Sequence, residues 1–222
     1  MEMTRTRVKI CGITRREDAE YACQLGVDAL GFVFVPASQR YISPADAQVL
    51  VQSIPSFVTV VGLFLDEEAS QVSHALELIP GMLPQFHGRE SDEYCDSFQR
   101  PYIKAMGVGS TGMPSRQTLD RYTRASGFLF DSNEPGALGG TGHAFDWSTL
   151  GENIGRPLIL AGGLDVNNVT QAVETVAPYA LDVSSGVESA KGVKSQPAMQ
   201  QFMRAVREAD ALKNQENIGQ QE

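Results

Sequence analysis

Cys11 closes a short apolar run, Val8-Lys9-Ile10-Cys11, and a glycine and a helix start, Thr14-Arg15-Arg16-Glu17, follow at once. A lone cysteine in a strand reads most plainly as a buried structural residue, unless its strand end belongs to an active face. Thr14 and Glu17 have capping-box spacing, which predicts where the helix begins and sets Cys11 at the carboxyl edge of its strand. Asp131 closes a second apolar run, Gly127-Phe128-Leu129-Phe130. A carboxyl group there loses solvent, which favours its protonated form and suits general acid work, although Ser132-Asn133 behind it also suit a turn or helix cap. Arg40, in Pro36-Ala37-Ser38-Gln39-Arg40-Tyr41, either grips a carboxylate with its two-pronged guanidinium or is a solvated loop residue. Gln85 and His87 sit at the end of another run. The turns carrying Gly162-Gly163 and Ser185-Gly186 suit phosphate, because glycines let backbone amides approach an anion beside a helix N-terminus. Each turn alone is also an ordinary connector.

Stepping along the chain, apolar runs alternate with capped amphipathic stretches. Strands are predicted at 8–11, 29–34, 57–64, 83–87, 102–106, 127–131, 157–161 and 180–184. Helix starts are predicted at Ser43-Pro44, Asp66-Glu67-Glu68, Asp146-Trp147, Asp165-Val166 and Ser195-Gln196-Pro197. Val58 to Phe64 and Pro157 to Ala161 are nearly continuous apolar runs, as parallel strands buried on both faces require. Eight such units, with no GxGxxG opening the first, predict an α/β fold of the (β/α)8 TIM-barrel type rather than a doubly wound sheet. One catalytic domain is expected over 1–212. The stretch 213–222 is polar and reads as a disordered tail.

In such a barrel, strand ends and the loops after them build the active face, so Cys11, Arg40, Gln85, His87, Asp131 and the two glycine turns all fall on it. Gly140, Thr141 and Gly142 lie in a long glycine-rich loop that reads as a ligand-covering lid. Asp146 next to it reads as a cap, with Phe145 and Leu150 as a hydrophobic staple. Period-2 alternation puts Lys9 on the same strand face as Cys11, inside the barrel, where an ammonium needs a partner. The last strand closes on the first, and Asp182 is the acidic residue it offers, either as a structural pair or as a support for Cys11.

The net charge of −9 opposes nonspecific binding to nucleic acid or to anionic membrane. No stretch approaches the length of a membrane span, and the N-terminus lacks the apolar core of an export signal. Three cysteines without a CxxC pair argue against a disulfide framework and fit a reducing cytoplasm. His74 falls in a helical stretch and reads as a surface residue; the three histidines lack metal-ligand spacing, and neither a metal nor another cofactor is expected.

Taken together, KICGITRREDA, F-x-P-x-S-x-R, QFHG, Asp131, GGTGHAFDW, LAGGL and LDVSSGVES resemble, in order and across residues 8–207, the signature blocks of phosphoribosylanthranilate isomerase. The resemblance implies an Amadori rearrangement of N-(5-phosphoribosyl)anthranilate, a small phosphorylated substrate, in tryptophan biosynthesis. It implies Cys11 as general base, Asp131 as general acid, Arg40 facing the anthranilate carboxylate, and phosphate held by the glycine turns after the last two strands. Two departures stand out: Val166 replaces a frequent proline, and Gly192-Val193-Lys194-Ser195 replaces a frequent GxKD. An isomerase of the related histidine-pathway aminoaldose, and a silent phosphosugar-binding barrel, are the alternatives. Such histidine-pathway enzymes are similar barrels that use aspartates for both proton transfers, so Cys11 at the first strand argues against that reading while leaving acceptance of both substrates open; intact Cys11 and Asp131 argue against the silent barrel. The resemblance leaves the oligomeric state undetermined.

Overall fold

A computed structural model describes residues 5–108, 112–132, 147 and 154–219. Eight parallel strands close into a barrel in chain order: β1 (Arg7–Cys11), β2 (Ala29–Val33), β3 (Thr59–Phe64), β4 (Leu83–Phe86), β5 (Tyr102–Gly107), β6 (Ala125–Asp131), β7 (Leu158–Leu160) and β8 (Ala180–Val183). All eight lie where the apolar runs predict them. Seven helices are described: α1 (Arg16–Gln24), α2 (Pro44–Val51), α3 (Ala69–Leu78), α4 (Asp92–Ser97), α5 (Arg116–Arg121), α6 (Val169–Val176) and α7 (Gln196–Gly219). A short antiparallel hairpin, β9 (Glu188–Ala190) and β10 (Val193–Lys194), follows β8 and has no counterpart in the sequence-based expectation. No described helix is long and apolar enough to cross a membrane.

Alternation divides the strand residues between two cores. Val61, Ile103, Ala105, Leu129, Ile159 and Ala180 fill the barrel interior, whereas Phe32, Phe64, Phe86, Phe128 and Phe130 point outward against the helices. On α6 the apolar stripe facing that outer layer is Val169, Ala172 and Val173, spaced three and four apart.

Several expected caps are replaced by tertiary contacts. The Thr14–Glu17 capping box does not form: α1 begins after Arg15 with no side-chain cap, and the Thr14 hydroxyl instead donates to the Gly192 carbonyl at 2.5 Å. Asp66 does not cap α3; it takes a positive φ of 53° and accepts from the Arg89 amide. Ser43 caps α2 as expected, accepting from the Asp46 amide. Asp165 accepts from the amides of Asn167 and Asn168, so a turn precedes α6 and the helix proper begins at Val169, later than predicted but without need of a proline at 166. Ser195 accepts from the Ala198 amide at the start of α7. That helix runs on to Gly219, through most of the stretch expected to be a frayed tail. Phe145, Asp146 and Leu150 lie outside the described residues.

The barrel closes where β8 meets β1, in the register Lys9↔Asp182. Lys9 Nζ lies 2.8 Å from Asp182 Oδ2, with both side chains buried. Burial by itself would lower the lysine pKa, but the Asp182 carboxylate and the Cys11 side chain outweigh it and hold the ammonium above its ordinary range. Removing one partner strands a buried charge. Lys9→Met or Asp182→Leu alone is expected to cost roughly 3–5 kcal/mol in denaturant unfolding, with much of the loss recovered in the double variant. Additive single effects would contradict the pairing.

Candidate active site

The carboxyl ends of the strands open onto a cleft. Cys11 from β1, Arg40 from the loop after β2, Gln85 and His87 from the end of β4, and Asp131 from β6 all line it. So do Gly162 and Gly163 after β7, Ser185 after β8, and Asp182. Lys9 lies beneath, beside the sulfur. Gly140, Thr141 and Gly142 lie outside the described residues.

Cys11 is 6% exposed, at the carboxyl edge its sequence context predicts. Burial pushes its thiol pKa up; the Lys9 ammonium pulls it down, and the Asp182 carboxylate pushes it up again, leaving the thiol above its ordinary value. Lys9 therefore does not by itself outweigh burial, and Asp182 opposes it further. The Cys11 carbonyl accepts from Ser184 Oγ at 3.0 Å, tying the end of β1 to the end of β8.

Asp131 is 6% exposed, and its Oδ2 lies 4.0 Å from His87 Nε2. Burial lowers the His87 pKa, with Asp131 opposing and Lys104 reinforcing, so the ring is neutral at physiological pH. Gln85 Nε2 lies 3.3 Å from His87 Nδ1. With the amide donating, the ring proton sits on Nε2 and faces Asp131. His87 is further held by Lys104 and Glu90, a buried pair 2.9 Å apart, since Lys104 also donates to the carbonyls of Phe86 and Gly88 on either side of it. His74, on α3, is exposed.

Arg40 differs from its expected use. Its fork is already engaged: Nε donates to Glu188 Oε1 and Nη2 to Glu188 Oε2, each at 2.8 Å. The whole fork is therefore not free to grip a ligand carboxylate. Glu188 and Lys194, which donates to Glu188 Oε1 at 2.8 Å, escaped the sequence reading. Both lie in the departing Gly192–Ser195 region or beside it, and only a hairpin could have brought them to Arg40.

The turn after β7 needs its glycines. Gly162 has φ +84°, and a Cβ there would strike the backbone nitrogen and hydroxyl of Ser132 after β6. Ser185 opens a 3-10 turn after β8. Gly186 packs against the Leu164 carbonyl and joins the two loops instead of lining the cleft.

The model of the family described as N-(5'phosphoribosyl)anthranilate (PRA) isomerase matches residues 8–205. The chain belongs to that family. A phosphoribosylanthranilate isomerase of Nitrosospira multiformis is 49% identical over 206 residues, covering 93% of this chain and 99% of its own. One of Pseudomonas putida is 47% identical, covering 93% and 100%. Among solved structures, the phosphoribosylanthranilate isomerase of Thermotoga maritima superposes with a TM-score of 0.82 at 38% identity, covering 91% of this chain and 99% of that one. Another, solved in complex with reduced 1-(o-carboxyphenylamino)-1-deoxyribulose 5-phosphate, has a TM-score of 0.77 at 36% identity, with the same coverage.

Gly162→Ala tests the turn: the forced φ and the contact with Ser132 are expected to cost roughly 1–3 kcal/mol, read as a lower Tm, with a raised KM for a phosphorylated ligand. Unchanged Tm and KM would show that the turn tolerates a side chain.

Proposed function

We propose that Cys11 and Asp131, facing one cleft from β1 and β6, are the base and acid of the reaction. The chain is an isomerase of tryptophan biosynthesis, converting N-(5-phosphoribosyl)anthranilate to 1-(2-carboxyphenylamino)-1-deoxyribulose 5-phosphate. Opening the furanose aminal needs a proton on the ring oxygen, and Asp131 donates it. The C1–O bond then breaks and a Schiff base forms, which acidifies the proton on C2. The Cys11 thiolate takes that proton, and the resulting enolamine tautomerises to the ketone. Arg40 orients the anthranilate carboxylate, and the turns at Gly162-Gly163 and Ser185 receive the phosphate through backbone amides. These proton transfers require no cofactor.

The observation that carries this reading is the convergence of a buried thiol, a buried carboxyl group and the glycine turns on a single cleft. Two further features support it. Gln85 Oε1 and Asp182 Oδ1 are buried without a hydrogen-bond partner among the described residues, and a sugar with several hydroxyl groups supplies donors for them. The three cysteines are free, which suits a cytoplasmic enzyme that depends on a reduced thiol.

Catalysis needs Cys11 as the thiolate. Burial holds the thiol above its ordinary range, so the thiolate forms late as pH rises. The rising limb of kcat/KM is therefore expected above the ordinary thiol value of about 8.5; a limb well below it would contradict the buried-thiol assignment.

Consumption of phosphoribosylanthranilate, followed by its fluorescence, tests the roles. Cys11→Ala and Asp131→Asn should each lower kcat by ~10²–10⁴ while a product analogue still binds. Near-normal turnover by either variant would remove that residue from the mechanism.

A further inference from the structure

Four charged side chains lie near enough to Cys11 to act on its charge: Lys9 on its own strand, Asp182 on β8, Arg40 from the loop after β2, and Lys194 on β10. Two of the cations are matched. Lys9 is answered by Asp182 at 2.8 Å, and Arg40 by both oxygens of Glu188. Lys194 shares that same Glu188, so the Arg40–Glu188–Lys194 cluster holds two positive charges against one negative. Lys194 is the cation left over.

It is also fully removed from water. Its side chain is 0% exposed, and Nζ donates to Glu188 Oε1 at 2.8 Å and to the Ser184 carbonyl at 3.2 Å. Ser184 is the residue whose hydroxyl holds the Cys11 carbonyl. An ammonium in such a place gains from any anion within reach, and by reciprocity that anion gains from it. Burial lowers the Lys194 pKa, with Glu188 and then Cys11 pulling it back. Burial alone would push the Glu188 carboxyl up, but Arg40 and Lys194 outweigh it and hold it down, so the shared carboxylate stays charged.

The hairpin that carries this charge is fastened to the loop directly after Cys11. The Lys194 amide donates to Asp18 Oδ2 at 3.0 Å, the Thr14 hydroxyl to the Gly192 carbonyl, and Arg15 grips Asp18 while reaching the Lys194 carbonyl. Gly12 keeps φ at +79°, and a Cβ there would meet the Arg40 stem, so the arginine lies against the same loop. Neither Glu188 nor Lys194 lines the cleft.

We propose that Lys194, balanced by the Glu188 it shares with Arg40, is a positioning residue of the isomerisation: its uncompensated charge favours the Cys11 thiolate, and Glu188 meters that charge while presetting Arg40. This rests on Cys11 being the base. It assigns the β9–β10 hairpin to the chemistry instead of to the fold alone.

The two residues then have opposite effects on one sulfur. Lys194→Met removes the surplus cation; Glu188→Gln removes the anion and leaves two cations. The readout is the pH dependence of iodoacetamide alkylation at the Cys11 peptide, resolved from Cys23 and Cys95 by mass spectrometry, in the whole folded chain with Tm checked. The alkylation midpoint should rise by about one pH unit in Lys194→Met, with kcat falling roughly tenfold and KM little changed. It should fall in Glu188→Gln, where lost control of Arg40 appears in KM. Lys194→Arg, which keeps the charge, should restore the midpoint. Midpoints that stay put or move the same way in both variants would overturn the proposal, whatever happens to activity; should Lys194→Met not fold, the sign of the Glu188→Gln shift alone decides. Loss of the base assignment is a separate result, read from normal turnover by Cys11→Ala.

Discussion

Inside the seam where the barrel closes, an ammonium on β1 and a carboxylate on β8 lie 2.8 Å apart with almost no water. A charge in that position is tolerable only with its partner, so the pair specifies which residues of the first and last strands stand opposite each other. Everything at the mouth inherits that register. Two residues along β1 is Cys11; two along from Asp182 is Ser184, whose hydroxyl holds the Cys11 carbonyl. A slip of one residue would turn the thiol outward into the helix layer.

The same pair limits what it supports. Asp182 opposes Lys9 at the sulfur, and burial disfavours the thiolate outright. Closing the barrel is thus done by a neutralised pair, and biasing the sulfur falls, on the proposal above, to charge delivered from outside the barrel. On the acid side the arrangement is different in kind. There a neutral imidazole, held by Gln85 and by the buried Lys104–Glu90 pair behind its loop, faces the carboxyl group of Asp131.

The barrel was legible because its signals are local and periodic: apolar runs of strand length, alternation within them, and turn residues between. Alternation together with closure was enough to join Lys9 to Asp182 across most of the chain. What stayed hidden depends on distant parts meeting. Thr14 has the type and spacing of a cap, yet its hydroxyl is taken by a carbonyl near the other end of the chain. Arg40 was legible as a carboxylate grip, but not that Glu188 already occupies it. Glu188 to Lys194 has neither the length of a barrel strand nor the alternation of a buried one, so nothing in the pattern marks it as a hairpin. The tail failed for another reason: its polar composition is compatible with an exposed helix continuing from α7.

The hairpin's position in the chain also orders events in time. Synthesis proceeds from the N-terminus, so within the barrel the sulfur-bearing strand is made before the other seven and the hairpin that brings charge near it only after all eight. Thr6, just ahead of β1, is likewise held by Asp210 on the last helix. A chain that has made six or seven strands already contains Cys11 and Asp131, yet has no closed seam and no hairpin. The register of β1 against β8, and the charge that the hairpin brings near Cys11, are therefore set only by the last segments of the barrel to be made.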